Sequence, residues 1–440
     1  MRVTFVENRG KTAFWAGVAE RLAAAGHEIG WIIQNPAYAP PTGDGTRFDL
    51  GFPKAADMVD MPVPDAVSTD RGRQYFGAGA RHYDFYARRI TAALDALRPD
   101  VVIGEPTLMH ELLSIAECRR RAIPYLHPTM TRYPGGRFNV LDGDTQIPVS
   151  GSNETWAPER LAELAGAISE GRSLPSYMAR PSPMAARMRQ LRRVAGQAQT
   201  TLGWLRGERF NTPSPARKLT LQRLLKQNLE SWAALARMPD ATGPVVLYPL
   251  QMQPEANIDV WGRPHSDQVA LVQRLLAALP ADGAVAVKAN PKSKYEASAE
   301  MLELARSERR VVLLPLDCPM NDAQAACIGA VTVSGTVGFE AVFGRGRCLA
   351  LRHPVLEHHL PEFHAETPED AVARLLADAD AGRGSAARGG DLLAQLVADS
   401  FEGTINEPTY DPNCLSPENI GKVTDAIAQV LAATPQKAEA

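Results

Sequence analysis

The chain has 440 residues, with 50 acidic against 47 basic side chains and a hydrophobic fraction of 45%. At roughly 150 residues per domain this gives two or three domains with full cores, and it excludes a disordered or fibrous protein. The net charge of −3 gives no global reason to expect nucleic-acid binding, and the five scattered cysteines form no CxxC pair, so a disulfide framework or zinc knuckle is not expected and a reducing cytoplasm fits.

Arg2–Val6 is a β-branched run and reads as a strand. Thr12–Ala25 places Phe14, Val18, Leu22 and Ala25 on one helix face, Gly26-His27 stops it, and Glu28–Gln34 supplies the next strand. Strand, helix and strand in this order make a βαβ unit, which builds a parallel sheet. A long stretch rich in Pro and Gly follows. The second unit is a strand at Pro99–Gly104, a helix at Met109–Arg121 and a strand at Ala122–His127. The opening sequence carries no secretory signal, and no run of about 18 apolar residues is present to span a membrane.

Residues 151–240 hold Pro-Ser breaks and helical stretches without a convincing strand. Between Arg180 and Lys226 there are eleven Lys or Arg and one acid, Glu208. Met188, Leu191, Val194, Leu202, Trp204, Leu205, Leu224 and Leu225 lie among these charges. That pattern suits a helical segment resting on anionic headgroups or an acidic polymer, with a solvated linker as the plain alternative.

From Gly243 the alternation is regular. Strands are expected at Val245–Tyr248, Ala284–Lys288, Arg310–Leu314, Ala330–Val333 and Arg347–Leu351. Helices are expected at Asp267–Leu279, Lys294–Ser307, Asn321–Ile328 and Val337–Gly344. Such an alternation is a doubly wound domain. A helix at Glu369–Ala379, a Gly-rich loop at 382–390 and a helix near Pro417–Ala433 complete the chain. The expected organisation is therefore an α/β domain at 1–150, a basic helical connector at 151–240, a second α/β domain at 241–416, and a terminal helix with a disordered tail at 417–440.

In doubly wound domains the chemistry sits at the carboxyl ends of strands. Val331–Ala341 (VTVSGTVGFEA) runs from a strand through Ser334-Gly335-Thr336 into a helix. Ser334 and Thr336 are expected to cap it, Gly335 to admit a ligand to the backbone, and Glu340 to accept from a sugar hydroxyl. Tyr248–Ile258 (YPLQMQPEANI) puts Gln251 and Glu255 after the first strand of this domain, where a carboxylate suits a nucleophile or base. Val287–Lys292 (VKANPK) puts Lys288, Asn290 and Lys292 after the next, suited to phosphate. A capped helix, a solvated loop and surface lysines are the plain alternatives.

These three turns, taken in chain order, resemble the capsule polysaccharide biosynthesis family, which includes β-Kdo transferases, and more broadly GT-B glycosyltransferases. The match covers about residues 243–352. It rests on the Gln251-to-Glu255 spacing, the basic strand ending at Asn290-Pro291, and the Ser334-Gly335-Thr336 turn with its Glu340-Ala341. The resemblance implies two Rossmann-like domains facing a cleft, with a helical basic insertion between them. It implies a nucleotide-sugar donor held by Ser334, Gly335, Thr336, Glu340, Lys288, Asn290, Lys292 and Gln251, and an acceptor glycan or glycolipid on the first domain. Glu255 takes the place of the family's catalytic carboxylate, commonly Asp; Asn290 takes the place of a His. CMP-Kdo and an NDP-sugar are both open as donors, and no further cofactor is implied.

In the first domain Glu7 and Glu105 follow apolar strands; Glu105 is the candidate acid/base group and Glu7 an acceptor contact. Arg132 and Arg137 flank a Gly-Gly turn suited to an acidic saccharide. No metal is expected: prolines at 354 and 361 interrupt the cluster of His353, His358, His359 and His364, and Asp142-Gly143-Asp144 reads as a turn. A sugar-nucleotide 2-epimerase and a non-catalytic polysaccharide-assembly protein are the rival readings. The expected location is the cytoplasm, at the inner face of a bacterial inner membrane if the basic stretch meets lipid.

Overall fold

The computed structural model describes residues 1–40, 45–173, 190, 196–198 and 200–434. The chain divides into two compact units: Met1–Thr155 with Pro175–Lys218 and Gln395–Ala440, and Trp156–Leu174 with Leu219–Ala394.

The first unit opens with β1 (Arg2–Val6), α1 (Thr12–Ala24), β2 (Glu28–Ile33) and β3 (Thr46–Asp49). Gly26, at φ +91°, ends α1 by adopting a backbone that a side chain disfavours. Then come α2 (Tyr83–Leu97), β4 (Val101–Ile103), α3 (Met109–Arg120), β5 (Tyr125–Met130), β6 (Arg137–Asp142) and β7 (Pro148–Ser150). α2 falls inside the stretch that its Pro and Gly content marked as irregular. It forms because Tyr83, Tyr86, Ile90, Ala93 and Leu94 make one buried stripe.

The second unit begins with α4 (Pro158–Ser169), and α5 (Pro215–Leu235) leads into it. It continues with β8 (Val245–Pro249), α6 (Ala256–Asp259), α7 (Gln268–Ala278), β9 (Ala284–Lys288), α8 (Ala299–Ser307) and β10 (Val311–Leu313). Next are α9 (Met320–Ala325), β11 (Gly329–Thr332), α10 (Thr336–Val342), β12 (Cys348–Ala350), α11 (Pro354–His359), α12 (Pro368–Ala377) and α13 (Ala386–Ala398). α13 replaces most of the Gly-rich loop expected at 382–390. Leu392, Leu393, Leu396 and Val397 give it a buried face, and Gly389 lies so close to Phe343 that a Cβ would sit 2.2 Å from the ring. The chain then returns to the first unit with β13 (Phe401–Glu402) and α14 (Pro417–Ala433).

Both sheets are doubly wound. In the first unit the order is β13-β6-β5-β4-β1-β2-β3, with β7 on β6. The five strands from β5 to β3 are parallel, and β6, β7 and β13 add antiparallel pairs at one side. In the second the order is β10-β9-β8-β11-β12, all parallel. Each chain path runs outward from a central strand, then crosses back to the other side of it. The reversal lies between β1 and β4 in one unit and between β8 and β11 in the other. The two-domain Rossmann-like class expected from the alternation is what the strand orders show.

The unit boundaries differ from the expected ones. Residues 395–416 are expected in the second domain, yet Phe401 and Ile405 pack in the core of the first. α14 joins them there, with Ile420, Val423, Ile427, Val430 and Leu431 against Phe14, Val18 and Leu22 of α1. Burying five such side chains contributes on the order of 10 kcal/mol before conformational entropy. The connector expected at 151–240 is shared between the units. Its residues 174–189, 191–195 and 199, including Met188, Leu191 and Val194, lie outside the described residues, as does the tail 435–440.

Candidate functional site

In open α/β sheets ligands bind beyond the carboxyl ends of the strands where the strand order reverses. Buried polar side chains of both units, among them Glu7, Glu105, Gln251 and Ser334, stand there.

In the second unit the turns after β8 and β11 are tied together. Gln251, after β8, accepts the backbone N–H groups of Val333 and Ser334 at 3.2 and 3.0 Å through Oε1. Its Nε2 donates to Ser334 Oγ at 3.0 Å, and Ser334 Oγ donates to the Asn257 carbonyl at 2.5 Å. Gln268 of α7 holds the Gln251 backbone from both sides and donates to Gln253 Oε1. Gln253 in turn donates to Asp259, which accepts the Glu255 N–H. The glutamine-rich turn therefore builds its own scaffold. Gln251 and Ser334, expected at the donor, are both buried, and the polar atoms just named are engaged within the protein.

The cap of α10 also differs from expectation. Gly335 is its N-cap, without a side-chain cap, and donates its N–H to Thr332 Oγ1 at 3.1 Å. A Cβ at Gly335 would lie 2.4 Å from that oxygen, which is why glycine stands there. Glu340 lies 3.8 Å from the Arg345 guanidinium, and burial raises its carboxyl pKa. Its place is beside Arg345; a role on a sugar hydroxyl has no support in these contacts.

Lys288 ends β9, and Leu250 of the adjoining turn donates its N–H to the Lys288 carbonyl at 2.9 Å. Only 6% of Lys288 is exposed, yet its ammonium makes no hydrogen bond or ion pair with any described residue. Val285 and Val287 point into the hydrophobic core, so strand alternation sends Lys288 to the opposite face. Asn290 accepts the Lys292 N–H at 2.8 Å and shapes its own turn, while Lys292 is exposed. Glu255 is the half-buried N-cap of α6, and its carboxylate has no partner among the described residues.

In the first unit the corresponding turns follow β1 and β4. Asn8 donates from Nδ2 to Thr107 Oγ1 at 3.0 Å and to Glu111 Oε1 at 2.7 Å, with Glu105 Oε2 at 3.5 Å. Glu105 pairs with Lys11 at 2.5 Å. Glu111 also accepts the N–H groups of Glu105, Thr107 and Leu108 at the start of α3. Burial, then the nearby Glu105 charge, push the Glu111 carboxyl up to about 8. Glu407, from the returning C-terminal segment, is raised by burial beside Lys11 and Arg9. Lys11 thus stands among an excess of carboxyl groups.

Glu7 is sealed. It accepts the N–H groups of Arg9 at 2.6 Å and Asn35 at 2.9 Å, and His110 Nε2 lies 2.8 Å from its carbonyl oxygen. Burial raises its carboxyl to about 7. With no exposed surface, it is not an acceptor contact as expected. Arg137 is likewise corrected. Its guanidinium donates to Glu154, Ser152, Ser400 and the carbonyls of Val397 and Ser400, locking β6 to the C-terminal segment. Arg132 is half-buried in the turn after β5.

The sequence reading missed Asn8, Lys11, Glu111 and Glu407 as a group. Glu111 was legible, since a Glu at the third position of a helix is half of a capping box. Glu407 was not, because no local signal ties residue 407 to residue 11.

The histidine-rich loop contains the short α11 between its two prolines; His353 packs edge-on against Phe339, and His358 bonds the Pro354 carbonyl. Asp142-Gly143-Asp144 turns β6 into β7, with Asp144 paired to Arg119. Among the described residues no group of three or more His, Cys, Asp or Glu is placed to hold a metal ion, and no helix is long and apolar enough to cross a membrane. A cavity of about 440 Å³ lies away from the strand reversal, beside the edge strand β10, between Arg237, Arg306 and Arg309.

No known family profile and no curated protein matches the chain. Among solved structures it is similar to the UDP-N-acetylglucosamine 2-epimerase from Rickettsia bellii, at 13% identity and a TM-score of 0.29, covering 98% of this chain and 95% of that one. It is similar to CalG4, the calicheamicin glycosyltransferase, at 15% identity and 0.25, covering 98% of both. It is similar to the UDP-GlcNAc 2-epimerase from Neisseria meningitidis bound to UDP-GlcNAc, at 11% and 0.24, covering 98% and 99%. These superpositions are loose, and the two strand orders carry the fold class by themselves.

Proposed function

We propose that this chain is a nucleotide-sugar-dependent glycosyltransferase of the GT-B kind, with the donor held by the second unit and a glycan or glycolipid acceptor by the first. The observation that carries the reading is Lys288. The Lys288 side chain lies against the protein with no counter-charge among the described residues, and an anionic ligand supplies one through a charge-assisted hydrogen bond. Lys288 stands at the end of β9, next to the strand reversal where nucleotide phosphates bind in doubly wound sheets. Glu255, an unpaired carboxylate on the adjoining turn, is the proposed nucleophile or charge stabiliser, and Glu105, held by Lys11, the proposed acid/base group on the acceptor.

CMP-Kdo or an NDP-sugar is the proposed donor, and capsule or surface polysaccharide the proposed product. A thermal-shift panel of CMP-Kdo, CMP-sialate, UDP-sugars and GDP-sugars tests this, because a bound donor raises apparent stability by mass action. A shift with one nucleotide class that vanishes in Lys288→Met supports the reading; no shift with any of them overturns it. Glu255→Gln is expected to abolish transfer while nucleotide binding persists.

A second reading is a sugar-nucleotide 2-epimerase, whose nucleotide-sugar substrate Lys288 would serve equally well. Incubation with UDP-GlcNAc and no acceptor separates the two: epimerised product appears only for the epimerase.

A further inference from the structure

The connection from β8 to α7 carries a second side chain without a partner. It is anchored where it meets α7: Gln253 Nε2 donates to the Ser266 carbonyl at 3.0 Å, and Asp267 caps the helix through the Ala270 N–H at 2.9 Å. His265 stands beside these anchors, its backbone N–H donating to the Gly262 carbonyl at 2.7 Å. Only 7% of the residue is exposed, yet its imidazole makes no hydrogen bond or ion pair with any described residue. A buried polar side chain ordinarily has a partner, so this one calls for water or a ligand.

The charges around it choose between the two. Burial lowers the His265 pKa first, the positive charges of Arg274 and Arg352 lower it further, and Glu369 opposes them less strongly. Arg274 has its counter-charge, gripping Glu369 at 2.9 and 2.7 Å. Arg352 has none among the described residues. It is exposed just beyond β12, and its backbone N–H donates to the Val333 carbonyl at 2.8 Å, next to the Ser334 that Gln251 holds. Water satisfies a neutral imidazole but does not balance Arg352; an oxyanion does both.

This place is separate from that of Lys288. Lys288 ends β9 and Arg352 follows β12, with β8 and β11 between them, a spread of roughly 14 Å at the usual strand spacing. Lys288, with 6% exposed, does not extend across it. All of these residues belong to the second unit.

We propose that His265 and Arg352 bind a second anionic group of the donor, apart from the phosphate at Lys288. This rests on the nucleotide-sugar reading and narrows it to donors with two anionic groups along their length. Two chemistries meet that description: the second phosphate of a nucleoside diphosphate sugar, and the carboxylate of an acidic sugar on a nucleoside monophosphate.

Calorimetric titration of the full chain with the pairs UMP and UDP, GMP and GDP, and CMP and CMP-sialate tests this. In one pair the ligand with two anionic groups is expected to bind at least roughly tenfold more tightly than its monophosphate, as a charge-assisted hydrogen bond contributes. A gain for UDP or GDP identifies the second phosphate, and a gain for CMP-sialate the carboxylate. His265→Phe and Arg352→Ala are each expected to remove most of that gain and to leave the monophosphate affinity unchanged. Circular dichroism checks the fold of both variants, and the exposed Arg352 tests the site independently of the buried His265. Equal binding within every pair, a gain that survives Arg352→Ala, or an equal loss for the monophosphate overturns the inference while the nucleotide-sugar reading stands. No binding of any of the six ligands by the unaltered chain overturns both.

Discussion

The side-chain amide of Gln251 grips Ser334 twice, accepting its backbone N–H at 3.0 Å and donating to its hydroxyl at 3.0 Å. Asn8 does the same kind of work in the first unit, reaching from the turn after β1 to Thr107 and Glu111 beyond β4. Each sheet thus has a carboxamide spanning the point where its strand order reverses. An amide suits the position because it offers a donor and an acceptor on one rigid group. Gln251→Ala leaves two buried N–H groups and a hydroxyl short of partners and is expected to cost about 3 kcal/mol in urea denaturation. A loss below about 1 kcal/mol would show that water replaces the amide.

Lys288→Met separates stability from binding. Removing an ammonium that has no protein partner is expected to leave the free protein about as stable as before. The same change is expected to weaken nucleotide binding at least roughly tenfold, since hydrogen bonds to charged groups contribute about 1.5–3 kcal/mol. Paired denaturation curves and calorimetric titrations check this. A marked loss of stability would assign Lys288 to the scaffold instead.

Arg137 lies on the structural side of that division. Arg137→Met strands Glu154, Ser400 and two carbonyls around a lost guanidinium, and is expected to cost about 3–5 kcal/mol. Thermal unfolding checks it; an unchanged midpoint with weakened acceptor binding would reverse the assignment.

The buried titrating groups set a pH profile. Glu7 and Glu111 have carboxyls raised to about 7 and about 8, and Asp70, Glu340 and Glu407 are raised as well, all by burial. The folded state keeps these protons where the unfolded chain has released them. Their contribution is complete below the ordinary carboxyl range and is lost as pH rises through 7 and 8. His82 and His110 at about 4, and His127 at about 3, are lowered by burial and act oppositely, their contribution being lost as pH falls from about 6.5. The trends oppose one another below pH 6.5, and only the carboxyls act above it. Stability is therefore expected to fall by about 2 kcal/mol between pH 6.5 and 8.5. Urea midpoints at the two values test this, and a flat or rising trend contradicts it.

Much of the fold was legible because both sheets are built from buried β-branched runs separated by amphipathic helices, and all five strands of the second unit fall within a residue or two of their expected places. α13 was hidden by Gly389 and Gly390, which read as loop residues although one of them stands there for close packing on Phe343. Site residues were legible as positions and less so as roles. Gln251, Ser334 and Glu340 lie where the strand ends place them, but a polar side chain at a strand end serves a scaffold as readily as a ligand. Only three-dimensional partners distinguish Ser334, with its hydroxyl engaged on both sides, from Lys288, with an ammonium left over. The carboxyl group at Lys11 needed contacts across some 400 residues, which periodicity does not carry.

The return of the chain to the first unit has a consequence for synthesis. The core of that unit includes Phe401, Ile420 and Ile427, which leave the ribosome after the whole of the second unit. The second unit is contiguous enough to fold while translation continues, whereas the first must wait for α14. The usual order, in which N-terminal domains fold first, is thus reversed. A fragment ending near residue 155 is a strand-and-helix layer without its cover, and expression of the first unit alone requires the C-terminal segment to be supplied with it.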